Sequence, residues 1–151
     1  MFEEAINAIK IREQSLIERN HLEKWSELDA KEVSKLQDAL AFLKIANIGG
    51  LGSLVQLVRE WGNERNITGP NAKATVETQF SKLLEEVDEI REGIEKKDQH
   101  EIIDGIGDAT VVLILLASLA GVRFETCLLA AYDEIRNRKG KMVEGKFVKE
   151  A

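Results

Sequence analysis

The stretch from Ala109 to Gly121 carries no charge, and from Ile106 onward the chain is apolar almost all round when wound into a helix. A helix without a polar face has to be covered on every side, so it belongs at the centre of a core. The uncharged run is well short of the ~18 apolar residues that suggest a membrane span, so the reading is a buried helix of a soluble protein, with no membrane partner. Its neighbour is of the opposite kind. From about Thr75 to Lys97 the chain sets Val76, Phe80, Leu83, Val87, Ile90 and Ile94 on one side of a long helix, because each residue advances the helix by ~100°. With 44% apolar, 32% charged and 5% aromatic residues and a single proline, the composition suits an all-α fold.

The rest of the chain supplies further helices. Leu54, Leu57, Val58 and Trp61 form a stripe that ends at the turn-forming Asn66-Ile-Thr-Gly-Pro-Asn71. A last helix from about Phe124 to Arg138 carries Leu128, Leu129, Tyr132 and Ile135, and the tail around Glu144-Gly145 suits a small hairpin. Upstream, Phe2, Ile6, Ile9, Leu16 and Ile17 mark an amphipathic helix over residues 2–25. Asp29 with Glu32 has capping-box spacing before Val33, Leu36, Leu40 and Leu43. The glycines of Ile48-Gly-Gly-Leu-Gly-Ser53 break that pattern, and Ser53 is placed to cap the next helix. The expected organisation is a helical hairpin appendage over 1–48 and a four-helix domain over 53–151. Four helices that include a nearly all-apolar one leave few ways to cover every face within one chain, so a homodimer or homotetramer is expected.

The formal net charge of −6 argues against a nucleic acid polymer as partner and requires any phosphate site to be built locally. Cys127 is the only cysteine, which excludes an intramolecular disulfide and a cysteine-based zinc cage. The acidic start MFEEAINAIK does not read as a secretory leader, so the expected compartment is the cytoplasm.

The chemistry is concentrated in carboxylates. Glu85, Glu86 and Glu89 fall within about 100° of helical arc, and Lys82 lies inside the same arc. Alone, such a face is usually just solvated. Asp104 and Asp108 change the balance, since they lie one turn apart where the most apolar helix begins. Carboxylates there need a counter-charge, although capping and helix-dipole compensation would account for Asp104 more readily than for Asp108. Packed antiparallel across the 97–101 turn, the two helices bring both groups toward one divalent cation. Oxygen-only ligands favour Mg2+, with Mn2+ acceptable, over zinc. A di-iron bundle would need two E-x-x-H motifs, whereas only Glu18 and His21 form one.

Lys82-Leu-Leu-Glu-Glu-Val-Asp-Glu89, Asp104-Gly-Ile-Gly-Asp108 and Tyr132-Asp-Glu-Ile-Arg-Asn-Arg-Lys-Gly-Lys-Met142 together resemble the MazG-like nucleotide pyrophosphohydrolases, phage-encoded members in particular. The resemblance covers roughly residues 54–149. It implies a four-helix MazG-like core in which Glu86 and Glu89 with Asp108 bind magnesium, Glu85 matching the adjacent family glutamate. Two positions depart from the pattern. Gly105 stands three before Asp108, where the family often has an acid, and Asp104 is left as a ligand, an outer-sphere group or a cap. Asp133 replaces an asparagine that often contacts nucleotide.

The implied reaction is hydrolysis of a nucleoside triphosphate, preferably a deoxynucleotide, to the monophosphate and pyrophosphate. Glu85, Glu86, Glu89 and Asp108 would be the catalytic set, with Glu86, Glu89, Asp104 and Asp108 around the metal. Glu85 or Asp104 is assigned to a second metal or to the attacking water. Lys82, Arg138, Lys139 and Lys141 are assigned to phosphate oxygens, because a triphosphate needs more charge neutralisation than one metal supplies. Trp61 and Tyr132 are candidates to stack on a base, although each also fits an apolar stripe, and Asp133 joins them as a substrate-binding candidate. Two alternatives stay open: an all-α enzyme specialised for dUTP, and a non-catalytic helical adaptor with a solvated acidic face.

Overall fold

The structure, a computed structural model, describes residues 2–20 and 27–150. Among the described residues the chain forms six helices: α1 (Phe2–Asn20), α2 (Glu27–Asn47), α3 (Leu51–Glu64), α4 (Val76–Lys96), α5 (Gln99–Leu119) and α6 (Phe124–Ile135). A hairpin of β1 (Gly140–Val143) and β2 (Lys146–Lys149) follows. The fold is all-α apart from this ribbon. Two compact units are formed, Met1–Gln56 and Leu57–Ala151.

In the first unit α1 and α2 pack against each other and Leu16 is buried. The expected end of the first helix, with His21, lies outside the described residues. So does the side chain of Asp29; the backbone is already helical from Glu27, which puts Asp29 inside α2 rather than at its cap. Ser53 is not a cap either. Gly49 and Gly50, at φ 94° and 90°, complete the chain break by themselves, and α3 starts at once at Leu51. The Ser53 hydroxyl instead donates back to the Gly49 carbonyl.

The second unit is organised by α4 and α5. Thr75 caps α4 through a reciprocal pair of bonds with Thr78, each backbone N–H donating to the other residue's hydroxyl. Lys97 closes the helix in the left-handed region at φ 56°, and the amide of Asp98 donates to the Gly93 carbonyl. Asp98 then caps α5 by accepting from the amides of His100 and Glu101. The cap of α5 is thus Asp98, and Asp104 stands clear of that duty inside the helix. A connection this short makes the two helices antiparallel neighbours.

Glycines set how closely they approach. A Cβ on Gly105 would lie 2.8 Å from Ile90 Cγ1 and 3.2 Å from the Ile90 amide nitrogen; one on Gly93 would lie 3.0 Å from the Ile102 amide nitrogen. The two contacts fix the register, and they carry the Glu86–Glu89 segment of α4 alongside the Asp108 end of the α5 acidic pair. By length and composition α5 is apolar enough to cross a membrane; Ala109, Val112, Ile114, Leu115 and Ala117 are buried within the unit, while Ile103, Ile106 and Leu113 are exposed, so the unit by itself covers this helix on one side and not all round as expected. The turn after α3 seals one side of it: Gly62 lies against Leu115, and the buried Thr68 hydroxyl donates to Asn63 Oδ1. Arg59 on α3 pairs with Glu125 on α6. Glu125 is held down to about 2, first by the backbone amide it accepts from, then by Arg123 and Arg59.

The hairpin is the expected one. Gly140 pairs with Lys149 and Val143 with Lys146, and Glu144 and Gly145 make the turn at φ 48° and 78°.

Gly105→Ala should destabilise the protein by about 1–3 kcal/mol, because the added methyl forces α4 and α5 apart. Gly107→Ala is the matched control: nothing lies within 4 Å of its Cβ position, so relief of the glycine entropy cost should stabilise by roughly 0.5–1 kcal/mol. Chemical denaturation of both variants measures the difference in sign.

Candidate active site

Glu86 is 3% exposed and is the buried acid of α4. Its Oε1 is 2.8 Å from the Lys82 ammonium, one turn back. Its Oε2 is buried and has no hydrogen-bond partner. Lys82 also reaches Glu85 Oε2 at 2.9 Å, so one cation serves two carboxylates. These two bonds, Glu86's foremost, hold the Lys82 pKa above its ordinary value.

Glu89 lies on the same face and is exposed. Its pKa is raised, first by the negative charge of Glu86, then by partial desolvation, with the charge of Asp108 adding to the effect and Lys82 opposing it. Glu86, Glu89 and Asp108 therefore share one electrostatic neighbourhood, as the antiparallel register requires. Among the described residues, no group of three or more acidic, histidine or cysteine side chains is arranged to hold a metal ion. Glu85 and Glu86 are turned toward Lys82 instead. Clustered carboxylates without a cation repel one another, and an ammonium group is the counter-charge at hand.

The two aspartates of α5 open onto different clefts. Asp104 lines one of about 250 Å³ with Glu89, Glu92, Lys96 and Glu101, where Lys96 bonds to both Glu92 and Glu101. Asp108 lines a cleft of about 400 Å³ whose other walls are Leu57, Val58, Trp61 and Val111. Trp61 is partly exposed there, with the Arg65 guanidinium stacked 4.5 Å from its ring centroid. The apolar cleft thus meets the carboxylate face at Asp108.

The basic residues sit elsewhere. Arg138 and Lys139 line a third cleft, of about 430 Å³, with Glu134, Asn137, Lys149 and Glu150, and Lys141 is exposed on β1. Asp133 pairs with Arg136, and Tyr132 is exposed on α6. None of these residues lines either carboxylate cleft. Sequence reading missed Glu92, Lys96 and Glu101 as neighbours of Glu89 and Asp104. The i, i+3 spacing from Glu89 to Glu92 was the available signal. For Lys149 no linear signal exists, because strand pairing brings it opposite Gly140.

Residues 74–143 match the family model of the MazG nucleotide pyrophosphohydrolase domain, a narrower span than the resemblance read from sequence. The uncharacterized 18.2 kDa protein in the rep-hol intergenic region of Haemophilus phage HP1 (strain HP1c1) is 36% identical over 67 residues, which are 44% of this chain and 39% of that relative. The match thus spans about two-fifths of the curated relative's length. No solved structure gives a significant match.

The raised pKa of Glu89 has a consequence for stability. With the folded-state value above the ordinary 4.5, the neutral form is favoured on folding; that contribution is complete below pH 4.5 and lost as pH rises through the folded value. Glu89→Gln removes the repelling charge, so the variant without added metal should melt higher than the parent at pH 7, with the advantage fading toward pH 4. Thermal melts across that range, with a chelator present, test it.

Proposed function

From the match of residues 74–143 to the MazG nucleotide pyrophosphohydrolase domain we propose that the chain hydrolyses a deoxynucleoside triphosphate to the monophosphate and pyrophosphate with a divalent cation, Mg2+ or Mn2+. The observation that carries the reading is Glu86: a buried carboxylate with one oxygen unpartnered, beside Glu89 and Asp108. Burying such an oxygen is costly without a positive partner, and a hard cation is the partner that oxygen ligands suit. The donor set suits it by chemistry, being carboxylate oxygens throughout, once Glu86 turns from Lys82. Glu86, Glu89 and Asp108 would hold the cation, with Asp104 within the same face through Glu89. When bound, it neutralises triphosphate charge and acidifies water for attack.

The chain's own residues do the rest. Glu85 or Asp104 orients the water that attacks the α-phosphorus, and the bond from that phosphorus to the bridging oxygen breaks as pyrophosphate leaves. Lys82 holds phosphate oxygens near the carboxylate face. Arg138 and Lys139, in their separate cleft, and Lys141, exposed on β1, serve the triphosphate only if a second copy or a movement of the tail brings them to it. The apolar cleft of Leu57, Val58, Trp61 and Val111 is of a size for a nucleoside and opens at Asp108, which supports Trp61 as the wall on which the base stacks. Tyr132 and Asp133 have no comparable position. In this reading residues 1–48 are an appendage, 53–151 the catalytic domain, and the compartment the cytoplasm, of a host cell if the gene is a phage's.

The test is a panel of nucleotides under a magnesium titration, with pyrophosphate resolved from orthophosphate. Glu86→Gln and Asp108→Asn keep side-chain shape and remove an anionic ligand oxygen, so each should lower turnover by orders of magnitude. Glu92, although farther round the helix, lines the Asp104 cleft and is no control; Asp88, exposed and paired with Arg91, is. Asp88→Asn should retain parental turnover. Turnover confined to dUTP would identify the dUTP-specialised enzyme, and none with any nucleotide would leave the adaptor.

Assembly is part of the proposal. Val76, Phe80, Leu84, Val87 and Ile94 on α4 and Leu128, Leu129, Tyr132 and Ile135 on α6 are each between 39% and 59% exposed, more apolar surface than two helices of a monomer ordinarily leave in water. A homodimer or homotetramer would cover them. Light scattering at micromolar concentration should give two or four chain masses, and a monomer would defeat this.

A further inference from the structure

We propose that Lys82 is the resident counter-ion of the carboxylate face, holding Glu86 until a divalent cation takes over the charge of that carboxylate and then turning its ammonium to the triphosphate. The proposal rests on the metal-dependent reading above and adds a role that this reading does not contain. Its basis is an asymmetry within one carboxylate. Glu86 is nine-tenths and more buried; its Oε1 is occupied by Lys82 at 2.8 Å while Oε2, also buried, is bonded to nothing. A single ammonium group thus neutralises the acid without satisfying it. Lys82 is simultaneously 2.9 Å from Glu85, and its side chain is 47% exposed, so the head group is free to leave along solvent without disturbing the core.

A cation arriving at Oε2 lies within a few ångströms of the ammonium, and two positive charges at that separation repel. Metal and Lys82 therefore compete for Glu86. Displaced from Glu86, Lys82 keeps the exposed Glu85 as its neighbour and stays tethered one helical turn from the site, within reach of an incoming triphosphate. Metal occupancy and phosphate binding are coupled by the movement of one side chain. A Lys82 that merely orients Glu86 for the metal makes the opposite prediction for metal affinity, and a Lys82 that only binds phosphate predicts none.

The experiment measures binding of Mn2+ alone to the full-length chain, by calorimetry at low salt, for the parent and for Lys82→Gln, Lys82→Met and Lys82→Arg. Lys82→Gln keeps an N–H donor for Glu86 and removes the charge, so it should bind Mn2+ roughly three- to tenfold more tightly than the parent. Lys82→Arg should stay near the parent. Inorganic tripolyphosphate offered to the Mn2+-loaded proteins should bind more weakly to Lys82→Gln than to the parent, opposite in sign to the metal result. Melts guard against misfolding: Mn2+ should raise the melting temperature of Lys82→Gln and Lys82→Met by more than it raises the parent's. Unchanged or weaker Mn2+ binding in Lys82→Gln overturns the proposal while leaving metal-dependent hydrolysis standing, provided that the parent binds Mn2+ and Glu86→Gln does not. A parent that binds no Mn2+ overturns both.

Discussion

The contact on which the second unit depends is the approach of two helix backbones at Gly93 and Gly105. No side chain stands between α5 and Ile90 at Gly105, and the short turn through Lys97 and Asp98 leaves the helices no freedom to slide. That register decides which acids meet. It sets Glu86 and Glu89 near Asp108, and it leaves Asp104 on the side of Glu92 and Glu101. The glycine that departs from the family pattern is the one that permits this packing. A carboxylate at 105 would have to displace Ile90, so the chain cannot have both an acid there and helices this close.

Close packing makes the electrostatics costly. Glu86 is carried into the interface, where a charge needs a partner, and the partner within reach is Lys82 on its own helix. Glu89 answers the same crowding from the exposed side, its proton held more firmly than usual by the charge of Glu86. Lys96 repeats the device farther along, between Glu92 and Glu101. The acidic face is therefore a strip of carboxylates neutralised by a lysine at each end. Between them Glu89 opens onto the acidic cleft, and Asp108 onto an apolar one floored by α3 and α5.

Much of this was legible in the linear pattern. The period of the apolar residues gives the helices to within a few residues, since a stripe wanted on one face has to recur at the helical repeat. The acids on one face of α4, the aspartate pair on α5 and the turn between the helices are likewise statements about spacing. Caps were less legible. Ser53 and Asp29 have the right chemistry, but two glycines at positive φ start α3 earlier, and the backbone of α2 is already helical at Glu27. A residue type that suits a cap cannot report that the chain has already turned.

The sequence by itself determined the all-α class, the antiparallel pairing of an acidic helix with the core helix, and the carboxylates that pairing brings together, because these follow from periodicity and from a connection too short for any other arrangement. Tertiary structure decided what periodicity has no means of recording. It buried Glu86 while leaving Glu85 exposed, gave Asp104 and Asp108 to different clefts, and set Arg138 and Lys139 beside Lys149, away from the acids they had been expected to serve. Residues on one helical face are equivalent to the sequence. They cease to be so when a second helix covers some of them and not others, and that depends on a separation between backbones that here was set by two glycines.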